Sequence, residues 1–326
     1  MTTPPEPGSP GWAEHMVERI ARGAQEARDR RDRLADATEA LGKGIAAQAG
    51  ANWRNRRVSQ CRADQRAPIV TLGARTEEHF RIIRYEAQVN LRSVADQLDG
   101  FAVLLRAERS LMGAVSVARG VFEASLWAAA LLDPTLTPDG RLQRAFSRRL
   151  ARLEAGIRLD DKLTGGRPAV DDSQGADPEP EDGEDDDDEH GKGRDPQQDI
   201  ADIVAYARGR GWKVKKGQRA WEIEGRLSID WLTENLEQRI GLEGYAWTGG
   251  SSMAHGEHAA DTASWMELAV DTKIAPAWLM RLWSTGVWAG PRLLLTTYAK
   301  YTDRPVLVPE FKRFNDAFWD VEIKNN

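Results

Sequence analysis

The segment Ser110–Leu132, SLMGAVSVARGVFEASLWAAALL, constrains the fold more than any other because it is apolar around nearly its whole circumference. A helix without a polar face must lie inside a protein core or a membrane. The segment carries Arg119 and Glu123, and such charges disfavour a membrane span. We therefore expect a buried core helix that ends at Asp133-Pro134.

Helical periodicity dominates the rest of the chain. Thr76 followed by two acids is typical of a helix start, and Trp212-Lys-Val-Lys and Trp221-Glu-Ile-Glu alternate as the strands of a small β-hairpin do. The fold class we predict is mainly α, a helical bundle with long antiparallel helices, a small β-hairpin and a disordered acidic insert. Apart from the apolar segment, helices are predicted near 77–101, 141–159, 197–210, 262–270, 276–301 and 309–319, with another that Ser228 caps.

The acidic insert defines the predicted domain organisation. Asp171–Glu189 contains twelve acidic residues and neither Lys nor Arg, a composition that cannot bury enough apolar area to offset its ordering entropy. The remainder of the chain is mildly basic. We predict a disordered tail (1–11), a basic helical arm (12–67), two halves of a helical core (68–159 and 199–326) and a disordered acidic linker between them (160–198).

The basic arm contains a heptad seam. Its positions follow alternating steps of three and four residues, and Arg31 and Thr38 interrupt an otherwise small and apolar set: Val17, Ile20, Ala24, Ala27, Arg31, Leu34, Thr38, Leu41 and Ile45. One interpretation is a helix that packs within its own chain. The other is a coiled-coil surface for a protein partner or a homo-oligomer.

A basic patch follows the seam, in ANWRNRRVSQCRADQRA. We select the first four of its five arginines as nucleic-acid-binding candidates, because guanidinium groups neutralise phosphates: Arg54, Arg56, Arg57 and Arg62. A basic patch with one tryptophan is also typical of ordinary solvated surface. RNA is thus a candidate partner.

The pair Arg119 and Glu123 is the strongest candidate for chemistry. Burying two ions costs several kcal/mol apiece before their attraction returns anything, so we expect a further partner from a distant segment. Residues 245–258, YAWTGGSSMAHGEH, offer such groups. His255 is a candidate general base or nucleophile there, with Tyr245 or Ser252 orienting a substrate. In the other interpretation His255 caps a helix or hydrogen-bonds Glu123 and holds two halves of the fold together as a buried polar lock.

Several functional classes gain no support. The sequence contains no P-loop, dinucleotide fingerprint, nucleophile elbow or H-E-x-x-H motif, and we predict neither a cofactor nor a metal. The amino-terminal residues lack the basic and apolar regions of a secretory signal, and Cys61 is the only cysteine. We therefore expect a cytoplasmic protein without a membrane anchor.

A family resemblance adds to these expectations. The helix Ala118-Arg119-Gly-Val-Phe-Glu123, with Arg141 and Arg144 after it and Tyr245, Ser252 and His255 later, resembles a group of uncharacterised bacterial helical proteins with an ARxxxE helix and a late Y…S…H element. That group is similar in outline to the HEPN-like helical proteins, many of which are RNA-cleaving toxins or phage-defence components. The resemblance covers about residues 76–301, without the acidic insert.

The chain departs from the HEPN nuclease signature at one point. That signature places an arginine and a polar residue a few residues before the histidine on one helix, whereas Gly-Gly-Ser-Ser-Met-Ala precedes His255. Arg119 would have to supply the cation from another helix.

Two functions follow from these observations. The first is a non-enzymatic interaction module whose Arg119, Glu123 and His255 form a buried polar cluster. The second is a HEPN-like ribonuclease or nucleotide-handling enzyme, in a toxin or phage-defence setting, that uses the same residues.

Overall fold

The computed structural model describes residues 7–9, 11–51, 53, 59–107, 111–163, 195–217, 221–223, 232, 284–304 and 307–323. This part of the chain is predominantly helical, which confirms the mainly α prediction. Its elements are α1 (Trp12–Gly50), α2 (Gln60–Gln65), β1 (Val70–Leu72), β2 (Arg75–Glu77), α3 (His79–Ala107), α4 (Leu111–Leu131), α5 (Pro138–Leu163), α6 (Pro196–Gly209), β3 (Val214–Lys216), β4 (Trp221–Ile223), α7 (Gly290–Thr302) and α8 (Val308–Ile323), with a π-helical segment (Ser284–Ala289) directly before α7.

Several predicted segments fall outside the described residues. These are the helix that Ser228 caps, the helix at 262–270, the start of the helix at 276–301 and most of the acidic insert. At the edges of the insert, α5 continues to Leu163 and α6 begins at Pro196, where the Asp195 side chain accepts a hydrogen bond from the Gln197 amide.

Both strand pairs are short antiparallel hairpins. The pair β3–β4, in which Val214 lies opposite Ile223, confirms the predicted hairpin. The pair β1–β2 was not predicted, and Thr76 belongs to it, opposite Thr71. The prediction that Thr76 caps a helix is therefore wrong. β-Branched threonines suit paired strands, and the backbone carbonyl of Glu78 accepts the first bonds of α3 instead.

The chain divides into two compact units that each combine distant segments. Unit 1 comprises Met1–Arg62, Ala87–Thr135 and Ser228–Asn326, and unit 2 comprises Ala63–Glu86 and Leu136–Leu227. Most of α3 belongs to unit 1, together with α1, α4, α7 and α8, and unit 2 contains α5, α6 and both hairpins.

In unit 1, α4 lies against α7 and the π-helical segment. The backbones approach so closely that a side chain at Gly286 would collide with the carbonyl of Ala118, and a Cβ at Gly290 would lie 3.1 Å from the Cα of Phe122. Within the described residues, only α4 has the length and composition of a membrane span, and 67% of its window Gly113–Leu131 is buried inside the fold. This helix is the predicted core helix.

The second half of α1 runs antiparallel to α8. Arg33 forms an ion pair of 2.8 Å with Asp320, and further along α1 a Cβ at Gly44 would lie 2.8 Å from the Leu307 side chain. The same half contacts α3, because a Cβ at Gly42 would lie 3.1 Å from the carbonyl oxygen of Ala95. Long antiparallel helices thus build unit 1, as the sequence predicts.

Aromatic side chains build the core of unit 2. Phe146 on α5 contacts the rings of Tyr206 and Trp212, with centroid distances of 5.5 and 6.4 Å. The backbone amide of Trp221 donates a hydrogen bond of 2.9 Å to the Glu154 carboxylate, which joins β4 to α5.

Candidate functional site

The pair selected from the sequence lies on α4 but is not fully buried. Arg119 and Glu123 are both half-buried, and they share one side of the helix with the exposed Ser116. A different side of α4, with Ala118, Phe122 and Ser125, contacts α7 and the π-helical segment. The prediction that both ions are buried is wrong, because residues four apart occupy one narrow sector, and this sector lies at the edge of the core.

The other selected residues are mostly outside the described part. Tyr245, Ser252 and His255 are not described, nor are Arg54, Arg56 and Arg57. The structure therefore does not bring the predicted catalytic set together or separate it. Arg62 is described, on α2, where it is half-buried and its backbone amide donates a hydrogen bond of 3.1 Å to the Ser59 hydroxyl.

A fully buried ion pair lies in unit 2 instead. The side chains of Arg141 on α5 and Asp64 on α2 both have 0% exposure. The arginine donates in parallel to both carboxylate oxygens, from Nε to Oδ2 at 2.8 Å and from Nη2 to Oδ1 at 2.7 Å. Its Nη1 donates to the backbone carbonyl of Leu136 at 2.5 Å.

This geometry makes the pair a structural lock. Two charges removed from water are tolerated only when good geometry and extra hydrogen bonds compensate their desolvation, and the bidentate contact and the Leu136 carbonyl supply both. Because the oxygens of Asp64 both accept from Arg141 in a site closed to solvent, neither residue is available to a substrate.

A buried histidine lies beside this lock. The side chain of His79, at the start of α3, hydrogen-bonds through Nε2 to the Pro138 carbonyl at 2.9 Å. Because the carbonyl can only accept, Nε2 carries the ring proton. Burial lowers the pKa of His79, although the Pro138 carbonyl and the nearby Asp64 partly oppose that shift. The imidazole is therefore neutral near pH 7.

A second buried acid is Glu86, on the part of α3 that belongs to unit 2. It is 1% exposed and accepts a hydrogen bond of 2.7 Å from Nη2 of Arg152 on α5. Burial raises the pKa of Glu86, and the charges of Arg152 and Arg149 lower it by less. The Arg152 guanidinium also lies 5.3 Å from the ring centroid of Tyr85.

Arg149 belongs to a neighbouring network that joins three elements of unit 2. It donates to Glu77 on β2 at 3.4 Å and to Asp199 on α6 at 3.5 Å. Arg75 lies 2.6 Å from Glu77 and 3.6 Å from Asp199, so two cations and two anions alternate. This alternation connects α5, α6 and the β1–β2 hairpin through long-range ion pairs.

Little in the sequence indicates the buried ion pair between Arg141 and Asp64 in unit 2. In the sequence, Arg141 and Arg144 are parts of the family resemblance, and Asp64 is one acid within a basic patch. The arginines Arg141, Arg148 and Arg152 recur every seven or four residues on α5 and so share one face. That spacing was the available sign of a polar face, but no pattern connects position 64 with position 141.

No group of three or more metal-ligating side chains occurs among the described residues. Comparisons with protein-family models, with curated proteins and with solved structures find no match for this chain.

We predict that Arg141→Met destabilises unit 2 by about 3–5 kcal/mol, because it leaves the Asp64 carboxylate buried without its partner. Replacing both ions, in Asp64→Leu/Arg141→Met, should recover most of that loss. Hydrogen exchange of the α5 and α6 amides measures the stability of this unit. Arg144→Met is the matched control, since Arg144 is half-buried one turn further along α5. Equal effects of Arg141→Met and Arg144→Met would contradict the lock.

We also predict a pH dependence for His79. Its folded pKa is lowered from 6.5, so the unfolded chain binds the proton more readily, and stability should fall as pH drops below about 6.5. The contribution should reach about 1.4 kcal/mol per pH unit at most. His79→Gln should flatten the curve in urea titrations between about pH 5 and 8.

The pH dependence caused by His79 can be separated from that of other titrating groups in two ways. The raised pKa of Glu86 acts in the opposite direction, with stability falling as pH rises above 4.5, but it is common to wild type and variant. His15→Gln on α1 serves as the control, since His15 lies outside unit 2. A curve for His79→Gln that is as steep as that of wild type would refute the assignment.

Proposed function

We propose that this chain is a non-enzymatic helical interaction module that binds a helix of a partner protein through the first half of α1. The observation that carries this proposal is an amphipathic seam of which the described structure covers only part. In the second half of α1, Leu34, Leu41 and Ile45 are at most 2% exposed, whereas Val17 and Ile20, on the same seam, are each 66% exposed.

The covered part ends near the end of α8. Asp320, which pairs with Arg33, lies one turn before the last residue of α8, Ile323. The α1 residues before about position 30 therefore have no described part of α8 beside them. Each residue of helix adds 1.5 Å, so roughly 28 Å of α1 extends past this point.

A helix of this length gains little stability alone. Helical segments without tertiary contacts are marginal in water, and most helical stability in proteins comes from burying an apolar face. The seam continues without a break in spacing from Ile45 back to Val17. A partner helix that fits the same seam would bury the uncovered part as α8 and α3 bury the rest.

Other features are compatible with a binding role. Among the described residues of unit 2, the fully buried Arg141 and Asp64 are engaged with one another, which suits a rigid scaffold. Cys61, the single cysteine, is buried and its thiol donates to the Trp53 carbonyl at 3.4 Å. A lone buried thiol fits a reducing compartment, and we place the proposed module in the cytoplasm.

A photo-reactive residue in place of Ile20 tests the proposal. We expect ultraviolet irradiation of cells to give a covalent adduct on a denaturing gel, because Ile20 faces the predicted partner, and we expect none from Arg22, which lies on the opposite side of α1. Adding Val17→Asp to the Ile20-substituted chain should remove the adduct. No adduct from position 20, or equal adducts from positions 20 and 22, would refute the proposal.

One observation favours the catalytic alternative, a HEPN-like ribonuclease. Arg119 and Glu123 are half-buried, and so not fully closed to solvent, although α4 around them is buried. In this alternative Arg119 stabilises the developing phosphate charge, and His255 is the general base.

If this alternative holds, the purified chain cleaves RNA, and His255→Ala and Arg119→Ala each reduce the rate by about 10²–10⁴-fold. Arg92→Ala, at an exposed arginine of α3, is the control and should leave the rate unchanged. Cleavage by His255→Ala at the wild-type rate would dismiss the alternative.

A further inference from the structure

We propose that the partner helix is the first half of α1 from a second copy of this chain, and that the two helices pair antiparallel with Ile20 opposite the partner's Ala24. This inference rests on the proposed function and names its partner. It follows from the sizes and charges of the residues along the uncovered seam.

The residue sizes are complementary in this register. In an antiparallel pair, the residue numbers of two core residues that face each other add up to the same value all along the interface. With Ile20 opposite the partner's Ala24, Val17 lies opposite the partner's Ala27. Each large side chain thus meets a small one, and Gly23 beside the seam allows the backbones to approach. Large residues facing small ones fill an interface without voids or overlap.

The charges are complementary as well. Glu14 and Arg28, both exposed, occupy equivalent positions beside the seam, two heptads apart. In an antiparallel pair, the residues that flank the seam on one side of a helix face residues at the same heptad position of the other helix. In the proposed register Glu14 therefore lies opposite the partner's Arg28, and the two-fold symmetry repeats this ion pair at the other end. Charges beside a coiled-coil core set the choice and direction of the partner.

The same charges disfavour the other arrangements. A parallel pair in register would place two copies of Arg31 against each other in the core, where like charges repel. A shift of the antiparallel pair by one heptad would place Glu14 opposite Ala21 or opposite Ala35, and Ala35 is buried in unit 1. Among these arrangements, only the proposed register forms the Glu14–Arg28 pair.

The proposed register also matches the length of the part of α1 that α8 does not cover. It sets Ala13 opposite the partner's Arg31, so the paired stretch spans residues 13–31 and stops where α8 begins to cover α1. At each end the long stem of the half-buried Arg31 lies over a small alanine. The one seam would then be buried from end to end, by α8 and α3 in one half and by the second copy in the other.

A charge swap tests the pairing. Wild type should dimerise in sedimentation experiments, and Glu14→Arg and Arg28→Glu should each weaken the dimer by about tenfold, since each places like charges opposite one another at both ends. An equimolar mixture of the two variants should regain the wild-type affinity. In the mixed dimer the two substituted positions face each other with opposite charges at one end, and the native Glu14–Arg28 pair re-forms at the other. A mixture as weak as the separate variants would overturn the proposal.

Cysteine cross-linking tests the direction. Ala21 flanks the seam and lies opposite the partner's Ala21 in the antiparallel register, so Ala21→Cys should give a disulfide-linked dimer on oxidation. Ala24→Cys should not, although a parallel pair would join it. Wild type is the control, because its Cys61 is 1% exposed. Cross-linking at position 24 in preference to 21 would overturn the antiparallel arrangement.

The outcomes separate this inference from the proposed function. A wild-type chain that stays monomeric at every concentration, or a dimer that Ile20→Asp leaves intact, overturns pairing between copies. The proposed function would then still stand if the Ile20 photo-adduct contains a different protein, and it would fall if no adduct forms.

Discussion

The amphipathic seam of α1 extends beyond the described part of α8 that covers it, and the proposed function depends on this mismatch of lengths. From Leu34 onward the seam is buried against α8 and α3, and that contact holds the first and last helices of the chain together in unit 1. Toward the amino terminus the periodicity continues while the covering helix ends. Val17 and Ile20 continue the seam there, and each is 66% exposed.

Unit 2 contains charged side chains that are buried and paired with one another. Arg141 and Asp64 are fully buried, and the cost of removing them from water is offset by bidentate geometry and by the Leu136 carbonyl. Such a pair contributes little net stability compared with a well-packed apolar pair, but it allows few alternative arrangements. The pair ties α2 to the start of α5, and Glu86 and Arg152 join α3 to the same helix further along. Together these contacts fix the register of α5 against two other helices.

The sequence predicts much of the fold because most of it depends on local periodicity. The apolar run of α4, the arginine-rich α5, the α6 start and the β3–β4 hairpin each carry their own pattern, and each was found. The β1–β2 hairpin was missed, because Thr76 followed by acids satisfies the rules for a helix cap as well as those for a strand end. Propensity cannot decide between them, and the pairing of Thr76 with Thr71 does.

The candidate site was harder to predict for a different reason. The sequence shows that Arg119 and Glu123 share a face, but whether that face is buried depends on which elements lie against α4, and neither composition nor periodicity contains that information. The same holds for Asp64 and Arg141, whose proximity results from the tertiary fold alone. A single sequence identifies charged residues in apolar surroundings more readily than it identifies their partners.

The buried polar groups of unit 2 and the exposed apolar groups of α1 differ in what they can contact, in the part of the chain that the structure describes. A catalytic acid or base needs a lone pair or proton directed at a substrate. In unit 2 both oxygens of Asp64 accept from Arg141, and Nε2 of His79 donates to the Pro138 carbonyl, so these buried groups are used in holding the fold. The exposed half of α1 has the opposite character, since its apolar side chains are stabilised only when another surface removes them from water. The interior of unit 2 therefore holds the fold together, and the exposed seam of α1 is the surface on which the proposed partner helix would act.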